Sequence, residues 1–333
     1  MGVYAYNKLD PQRREIRLCT LHPSSLDDPL VCTLSAISLD DKPEYETLSY
    51  VWVDPTFNKE ISANGDVLRD TTSLHTALRY LRFTENPRVI WADGICINQG
   101  DVNERSSQVG IMGDIYRTGE ELQIWLGEAE EVASHTGSDS IYLELASEKA
   151  LDNLAVFLQS QGLLTTPPVL HSASVVTESP DSSLLGALEI LSLMVADKRM
   201  FQMPFYKVTH ESKLEFNSWW YRSLSSLTRI ISLAWWRRIW TFQETLLSSQ
   251  SPVHTGIHEV PLSCFLHGLK KARQHLWGCC SPLAGLWLGN SEIFRKMSNV
   301  VNLVKSLNST MEGFRSNVYL WMIELNTISS KWE

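Results

Sequence analysis

Between Tyr45 and Gly127 the chain alternates short apolar strand signals with helical ones, and this alternation restricts the fold more than any other feature. "YETLSYVW" (45–52), "RVIWADGICI" (88–97) and "ELQIWLG" (121–127) read as strands, the second running into a Gly turn. The first separation holds "KEISANGDVLRD", whose Asn64-Gly65 pair predicts a tight hairpin because both turn positions need positive φ. It also holds "TTSLHTALRYLRF", where Leu74, Ala77, Leu78 and Leu81 repeat at helical spacing behind a Thr/Ser cap. The second separation, "DVNERSSQVGIMGDIYRTG", predicts a helix with Val109, Met112, Ile115 and Tyr116 inward and Gly119 at its C-cap. Strands alternating with helices imply a parallel sheet wrapped by helices, with ligands beyond the carboxyl ends of the strands. Those ends are Tyr50–Trp52, Asp93–Gln99 and Gly127-Glu128.

Outside this core, residues 14–37 alternate apolar and polar positions around a Pro/Ser/Asp turn and predict an N-terminal β-hairpin. We read the chain as a single domain over 1–333, with its core in 40–132 and 215–278. A helical insertion is expected over 133–214 and a helical C-terminal extension over 281–333. Within the insertion, "SSLLGALEILSLMVADKRM" reads as helix and the Ser/Pro/Thr-rich stretch before it as loop. "SWWYRSLSSLTRIISLAWWRRIWTFQETLLSS" reads as one or two helices, "PVHTGI" as a strand and "PLSCFLHGLKKARQHL" as a helix.

Composition narrows the function classes. The net charge of -9 removes the attraction to phosphate backbones on which nucleic-acid binding rests, so nucleic acid is not an expected partner. No run of 18 apolar residues occurs, so no membrane span is expected; Tyr6 stands where a myristoylation signal needs Ser or Thr. Six cysteines, scattered except for Cys279-Cys280, suit a reducing compartment, and a cytoplasmic location is the expectation. The His and Cys residues between His254 and Cys280 lack the paired spacings of a zinc site, so no metal is expected. Nucleophile elbow, Walker loop and Gly-x-Gly-x-x-Gly fingerprint are all missing from the sequence, which leaves triad hydrolases, nucleotide triphosphatases and Rossmann dehydrogenases without their main signals. The 12 tryptophans predict aromatic cores or aromatic-lined pockets.

Four blocks, in order, resemble the fungal heterokaryon-incompatibility (HET) domain: "YETLSYVW", "SLHTALRYLR", "IWADGICINQGDVNERSSQVGIMGDIYRTGEELQIWLGEAEE" and "WWRRIWTFQE". Val53 departs from the Gly that family has after its first-block Trp, and a downstream Asp-Pro-Arg-Asp-rich segment is not recognisable. The resemblance implies an effector of fungal non-self recognition that ends in growth arrest or programmed cell death. HET domains are in turn distantly similar to TIR domains, which implies an α/β, flavodoxin-like (TIR-like) parallel sheet flanked by helices, carrying the hairpin addition and the helical insertion. TIR domains open on a strand like Tyr45-Glu46-Thr47-Leu48-Ser49-Tyr50, and those that cleave NAD carry a catalytic Glu four residues after a Trp, matched here by Trp240 and Glu244.

What this implies for the site is NAD as substrate, no required cofactor, and Glu244 as the catalytic carboxylate. Trp240 and Glu244, at i and i+4, share a helical face, and a carboxylate stabilises the oxocarbenium-like state of nicotinamide-ribose cleavage. Ser49, Tyr50, Trp52, Asp93, Asn98, Gln99, Arg105, Arg238 and Trp240 would line the nucleotide pocket. Structural alternatives stand beside these roles. Glu244 could pair with Arg237 or Arg238; Asp93, if buried, needs a cation, for which Arg105 and Arg238 are the candidates; Asn98 and Gln99 could serve a turn and cap; and Glu104 suits a helix N-terminus. The rival function is a non-enzymatic module that signals by self-association or by binding an incompatibility or NLR-type protein.

Overall fold

The computed structural model describes residues 2–52, 54–128, 169–170, 180–199, 206–208, 213–216, 226–227, 229–238, 241, 244–245, 247–248 and 250–279. The chain divides into two compact units, Met1–Glu128 with Ala234–Pro261, and Ala129–Leu233 with Leu262–Glu333.

The first unit is built on a nine-stranded sheet. In chain order its strands are β1 (Glu15–Leu21), β2 (Val31–Ser38), β3 (Glu46–Ser49), β4 (Phe57–Ala63), β5 (Asp66–Thr71), β6 (Arg88–Trp91), β7 (Leu122–Trp125), β11 (Pro252–Thr255) and β12 (His258–Pro261). Across the sheet they run β12-β11-β7-β3-β6-β1-β2-β4-β5. The four strands β11, β7, β3 and β6 are mutually parallel. Numbered along the chain, this block has the order 2-1-3-4, that of a flavodoxin-like doubly wound sheet, and its switch point lies between β3 and β7. β7 is buried at every position, as expected of a parallel strand covered on both faces.

The sheet is mixed rather than wholly parallel. The expected N-terminal hairpin exists, and β1 also pairs antiparallel with β6, so the hairpin extends the sheet instead of sitting apart from it. The Asn64-Gly65 hairpin, with φ of 53° and 87°, joins beyond it through β4 beside β2. Arg17 secures the junction: its buried guanidinium pairs with Glu104 at 2.5 Å and donates to the Cys96 carbonyl at 3.1 Å and to the Asn7 carbonyl. Glu104, whose acidity suits a helix start, is thus held in a buried ion pair.

Helix α1 (Thr72–Leu81) buries Leu74, Ala77, Leu78 and Leu81 as the spacing predicts, and Thr71 Oγ1 caps it by accepting from Leu74 N at 3.3 Å. After β6 comes a single helical turn, α2 (Asp93–Cys96), and then α3 (Val102–Thr118), capped by Asp101. α3 is rotated from its predicted face. Gln108 points inward to donate to the Glu15 carbonyl at 2.9 Å, which turns Val109 out to solvent. Gly119 ends α3 at φ -61°, so its value is not a left-handed cap; a Cβ there would stand 2.9 Å from Thr47 Cγ2, and only glycine allows that approach.

In the second unit α4 (Pro180–Val195) packs on α5 (Leu262–Trp277), both at positions read as helical. Gly268 sets the spacing, since a Cβ there would lie 3.0 Å from the Leu191 carbonyl oxygen. The insertion is not purely helical: β8 (Val169–Leu170), β9 (Tyr206–Val208) and β10 (Lys213–Phe216) form a three-stranded sheet in the order β8-β10-β9. The strand expected at 252 is β11. The stretch "SIYLELASEKALDNLAVFLQSQ" (140–161), which reads as helix in the sequence, and the C-terminal extension 281–333 lie outside the described residues.

Candidate functional site

At the carboxyl end of β3 the chain leaves the sheet through Ser49 and Tyr50, both buried. This is the switch-point strand, where the outward-turning connections open a crevice. The segment from Ala234 onward closes around it. A 3-10 turn at Ala234–Arg237 presents Trp235, whose indole N–H donates to Ser49 Oγ at 2.9 Å. Arg238 Nη1 donates to the Tyr50 carbonyl at 2.9 Å, and Thr241 Oγ1 holds the turn by donating to the carbonyls of Trp235 and Arg238 at 2.8 and 2.7 Å. The next turn of helix brings in Glu244.

Glu244 is 8% exposed, and its Oε2 has no hydrogen-bond partner. Burial pushes its carboxyl from 4.5 to about 8; the hydroxyls of Ser49 and Tyr116 and the charge of Arg238 oppose that rise, and the Asp93 charge adds to it. Among the described residues no cation lies within 4.0 Å of Glu244, so it is not spent on an ion pair with Arg238. Tyr116, from α3, donates to the Leu48 carbonyl at 3.4 Å, and burial raises its hydroxyl well above 10.

Asp93 opens α2 directly after β6. It keeps a partly exposed edge, yet desolvation is the largest influence on its carboxyl and raises it, against Tyr50, Arg238, the Gly94 N–H and Trp52, which favour the charged form. Of the two cations considered for it, Arg238 is therefore the one that acts on it. The Tyr50 hydroxyl faces Asp93 without an aligned hydrogen bond and has no partner, and its ring stacks on Trp52 at 6.4 Å between centroids.

A third carboxyl completes the cluster. Asp70, fully buried at the end of β5, accepts from Thr71 N at 2.6 Å through Oδ1 and leaves Oδ2 without a partner. Burial first, and the Asp93 charge with it, push Asp70 from 3.8 to about 7. Gly94 lets these groups meet: a Cβ on it would fall 2.5 Å from Tyr50 Oη and 2.7 Å from Leu74 Cδ2. Asp70 and Asp93 thus flank Tyr50, Asp93 and Glu244 act on Tyr116, and Arg238 is the cation whose charge reaches both Asp93 and Glu244. At neutral pH Glu244 binds a proton and Asp70 is near half-protonation, which is the state of a site short of positive charge.

Ser49, Tyr50, Trp52, Asp93, Arg238 and Glu244 are brought together as the sequence predicts. Asn98 and Gln99 work in the connecting turn: Asn98 Oδ1 accepts from Gly100 N at 3.1 Å, and Gln99 Nε2 donates to the Asp93 carbonyl at 2.7 Å. Arg105 sits on the exposed side of α3, and among the described residues it makes no hydrogen bond or ion pair to the cluster. Trp240 lies outside the described residues. Asp70, Tyr116 and Trp235 escape the sequence reading as site residues. Asp70 left a trace, because it shares the buried face of β5 with Leu68 two residues before it, and a carboxylate in an apolar register signals a special environment. Among the described residues no group of three His, Cys, Asp or Glu side chains is arranged to hold a metal ion.

The family whose description is "Heterokaryon incompatibility protein (HET)" matches residues 45–244. The chain belongs to the HET family. The matched HET segment contains the whole cluster, starting one residue before β3 and ending on Glu244. A curated relative, "Heterokaryon incompatibility protein 6, OR allele" of Neurospora crassa, is 31% identical over 267 residues, covering 75% of this chain and 35% of the relative. The HET chain described here therefore spans about a third of that relative's length. No solved structure matches it significantly. No helix among its described residues is long and apolar enough to cross a membrane.

Proposed function

We propose that the HET segment is an effector of non-self recognition and programmed cell death that hydrolyses NAD at the nicotinamide-ribose bond. The observation that carries this reading is the buried, unpartnered Oε2 of Glu244 at the carboxyl end of the switch-point strand. The nicotinamide ring of NAD is a cation, and the acid cluster is short of one. Bringing the ring beside Glu244 favours its carboxylate, so substrate binding expels the proton and arms the group that stabilises the oxocarbenium-like state. Water then adds at the ribosyl carbon, nicotinamide leaves, and ADP-ribose and a proton are released. Asp93 and Arg238 contribute polar contacts to the ribose and phosphates, and Trp52 and Tyr50 an aromatic wall.

The test is incubation of purified protein with NAD, with nicotinamide and ADP-ribose followed by chromatography. Turnover is expected in dilute or assembled samples of the natural chain and is lost in Glu244→Gln. Because the free protein holds Glu244 protonated below about 8, kcat/KM should rise with pH up to that value. An inert protein in both dilute and assembled samples, or full turnover in the Glu244→Gln variant, rejects the proposal.

A second reading, a module that acts by assembling with protein partners, draws on α3. Val102 and Val109 are 62% and 45% exposed, and Gly110 between turns of the helix has nothing within 4 Å of its missing Cβ. Light scattering across a concentration series, with Val109→Lys as the disrupting variant, tests it.

A further inference from the structure

The second unit carries a constellation that the HET site does not use. Cys279, exposed just past the end of α5, lies 3.2 Å through Sγ from Nδ1 of His275. His275 is 7% exposed, and its other ring nitrogen, Nε2, has no hydrogen-bond partner; Asp197 Oδ1 stands 3.4 Å from it. Asp197 follows α4 and is held in place twice. Its backbone adopts φ 59°, a left-handed conformation that few residues other than glycine, asparagine and aspartate take, and Lys271 of α5 donates to its carboxylate at 2.7 Å. An accessible thiol in contact with an imidazole whose far nitrogen faces an oriented carboxylate is the arrangement that activates a nucleophile.

We propose that Cys279 is a nucleophilic thiol that accepts acyl groups from thioesters or activated esters, with His275 as its base and Asp197 as the residue positioning the ring. His275 Nδ1 takes the Sγ proton, and the thiolate attacks the acyl carbonyl carbon. A new carbon-sulfur bond forms as the carbon-to-leaving-group bond breaks. The departing thiolate or alkoxide receives the proton from His275, so the reaction leaves a Cys279 thioester and one free thiol or alcohol, with no oxidant needed. Acyl carbon suits the site because the imidazole both removes a proton and returns it to the leaving group. The 3.4 Å gap to Asp197 is of the kind that tightens when a positive charge forms on the ring.

Cys264 supplies an internal control, being exposed on the same helix with no ring nitrogen at hydrogen-bond distance among the described residues. The full chain is treated with p-nitrophenyl acetate and, separately, with an acetyl thioester, and peptide mass spectrometry assigns the acetyl group to Cys279, Cys280 or Cys264. Cys279 is expected to acetylate about tenfold or more faster than Cys264. His275→Gln should bring it down to the Cys264 rate. Asp197→Asn, at an exposed side chain, should slow it severalfold and move its pH profile to higher pH, a change that loss of packing alone does not produce. Equal rates at the two cysteines overturn the proposal, as does an unchanged ratio in His275→Gln. If circular dichroism shows His275→Gln unfolded, the Asp197→Asn pH profile decides: a shift upholds the assignment and an unmoved profile rejects it.

Discussion

Replacing Glu244 by glutamine should make this protein more stable, and increasingly so as pH rises. The folded chain holds the Glu244 proton far more tightly than the unfolded chain, with the carboxyl at about 8 against an ordinary 4.5. A group raised in this way contributes stability that is fully present below 4.5 and is lost as pH rises through about 8. At about 1.4 kcal/mol for each tenfold difference in proton affinity, the natural carboxyl costs about 3 kcal/mol at pH 7 and about 5 kcal/mol on the alkaline plateau. Glutamine has nearly the same shape as the protonated acid and no charge to desolvate, so it removes that penalty without opening a cavity. Urea denaturation followed by tryptophan fluorescence at pH 4, 5.5, 7 and 8.5 measures the effect. The two proteins should be nearly equal at pH 4, with the variant's advantage growing to about 3 kcal/mol by pH 7. A variant that is less stable, or whose advantage is the same at every pH, refutes the claim that Glu244 is an uncompensated buried acid. Read with the NAD assay, a gain in stability together with a loss of turnover is the signature of a group retained for chemistry at the expense of the fold.

Asp70→Asn keeps the acceptor for Thr71 N and should gain stability between pH 4 and 7, with no gain below 3.8, in the same denaturation series. Gly94→Ala forces a methyl against Tyr50 Oη and Leu74 and should lower the unfolding free energy by about 1 to 3 kcal/mol. Arg17→Met strands the buried Glu104 carboxylate and should cost about 3 to 5 kcal/mol, much of it recovered when Glu104→Gln is added; a double variant as unstable as the single one would show that Arg17 acts through packing instead.

Much of the sheet was legible because its signals are local. Asn64-Gly65 announces a hairpin by itself, and α1 buries the four residues its spacing names. The face of α3 was not legible. Four apolar residues at helical spacing outweighed Gln108 in the sequence pattern, whereas in the fold the Glu15 carbonyl needed a donor and Gln108 supplied it. Glu244 could be anticipated through the resemblance, which expects a Glu four residues after a Trp, and Asp93 and Arg238 as an acid at a strand end and a candidate cation for it, each beside a structural alternative. Trp235 could not, since its role is a hydrogen bond to Ser49 that depends on how a distant segment returns to the sheet. The joining of both hairpins into one sheet was hidden for the same reason: edge pairing between β1 and β6 is decided by tertiary closure, not by either strand's pattern.

The Trp235–Ser49 hydrogen bond ties residues 186 apart in the chain. A ribosome therefore releases β3, α1, α2 and α3 long before Trp235, Arg238 and Glu244 exist, and the crevice stays without its carboxylate throughout that interval. Translation order thus sets a delay: a chain stalled or cut before residue 234 has three of the four parallel strands together with Asp70 and Asp93, but the chemistry proposed for Glu244 is not available until nearly all of this unit has been made.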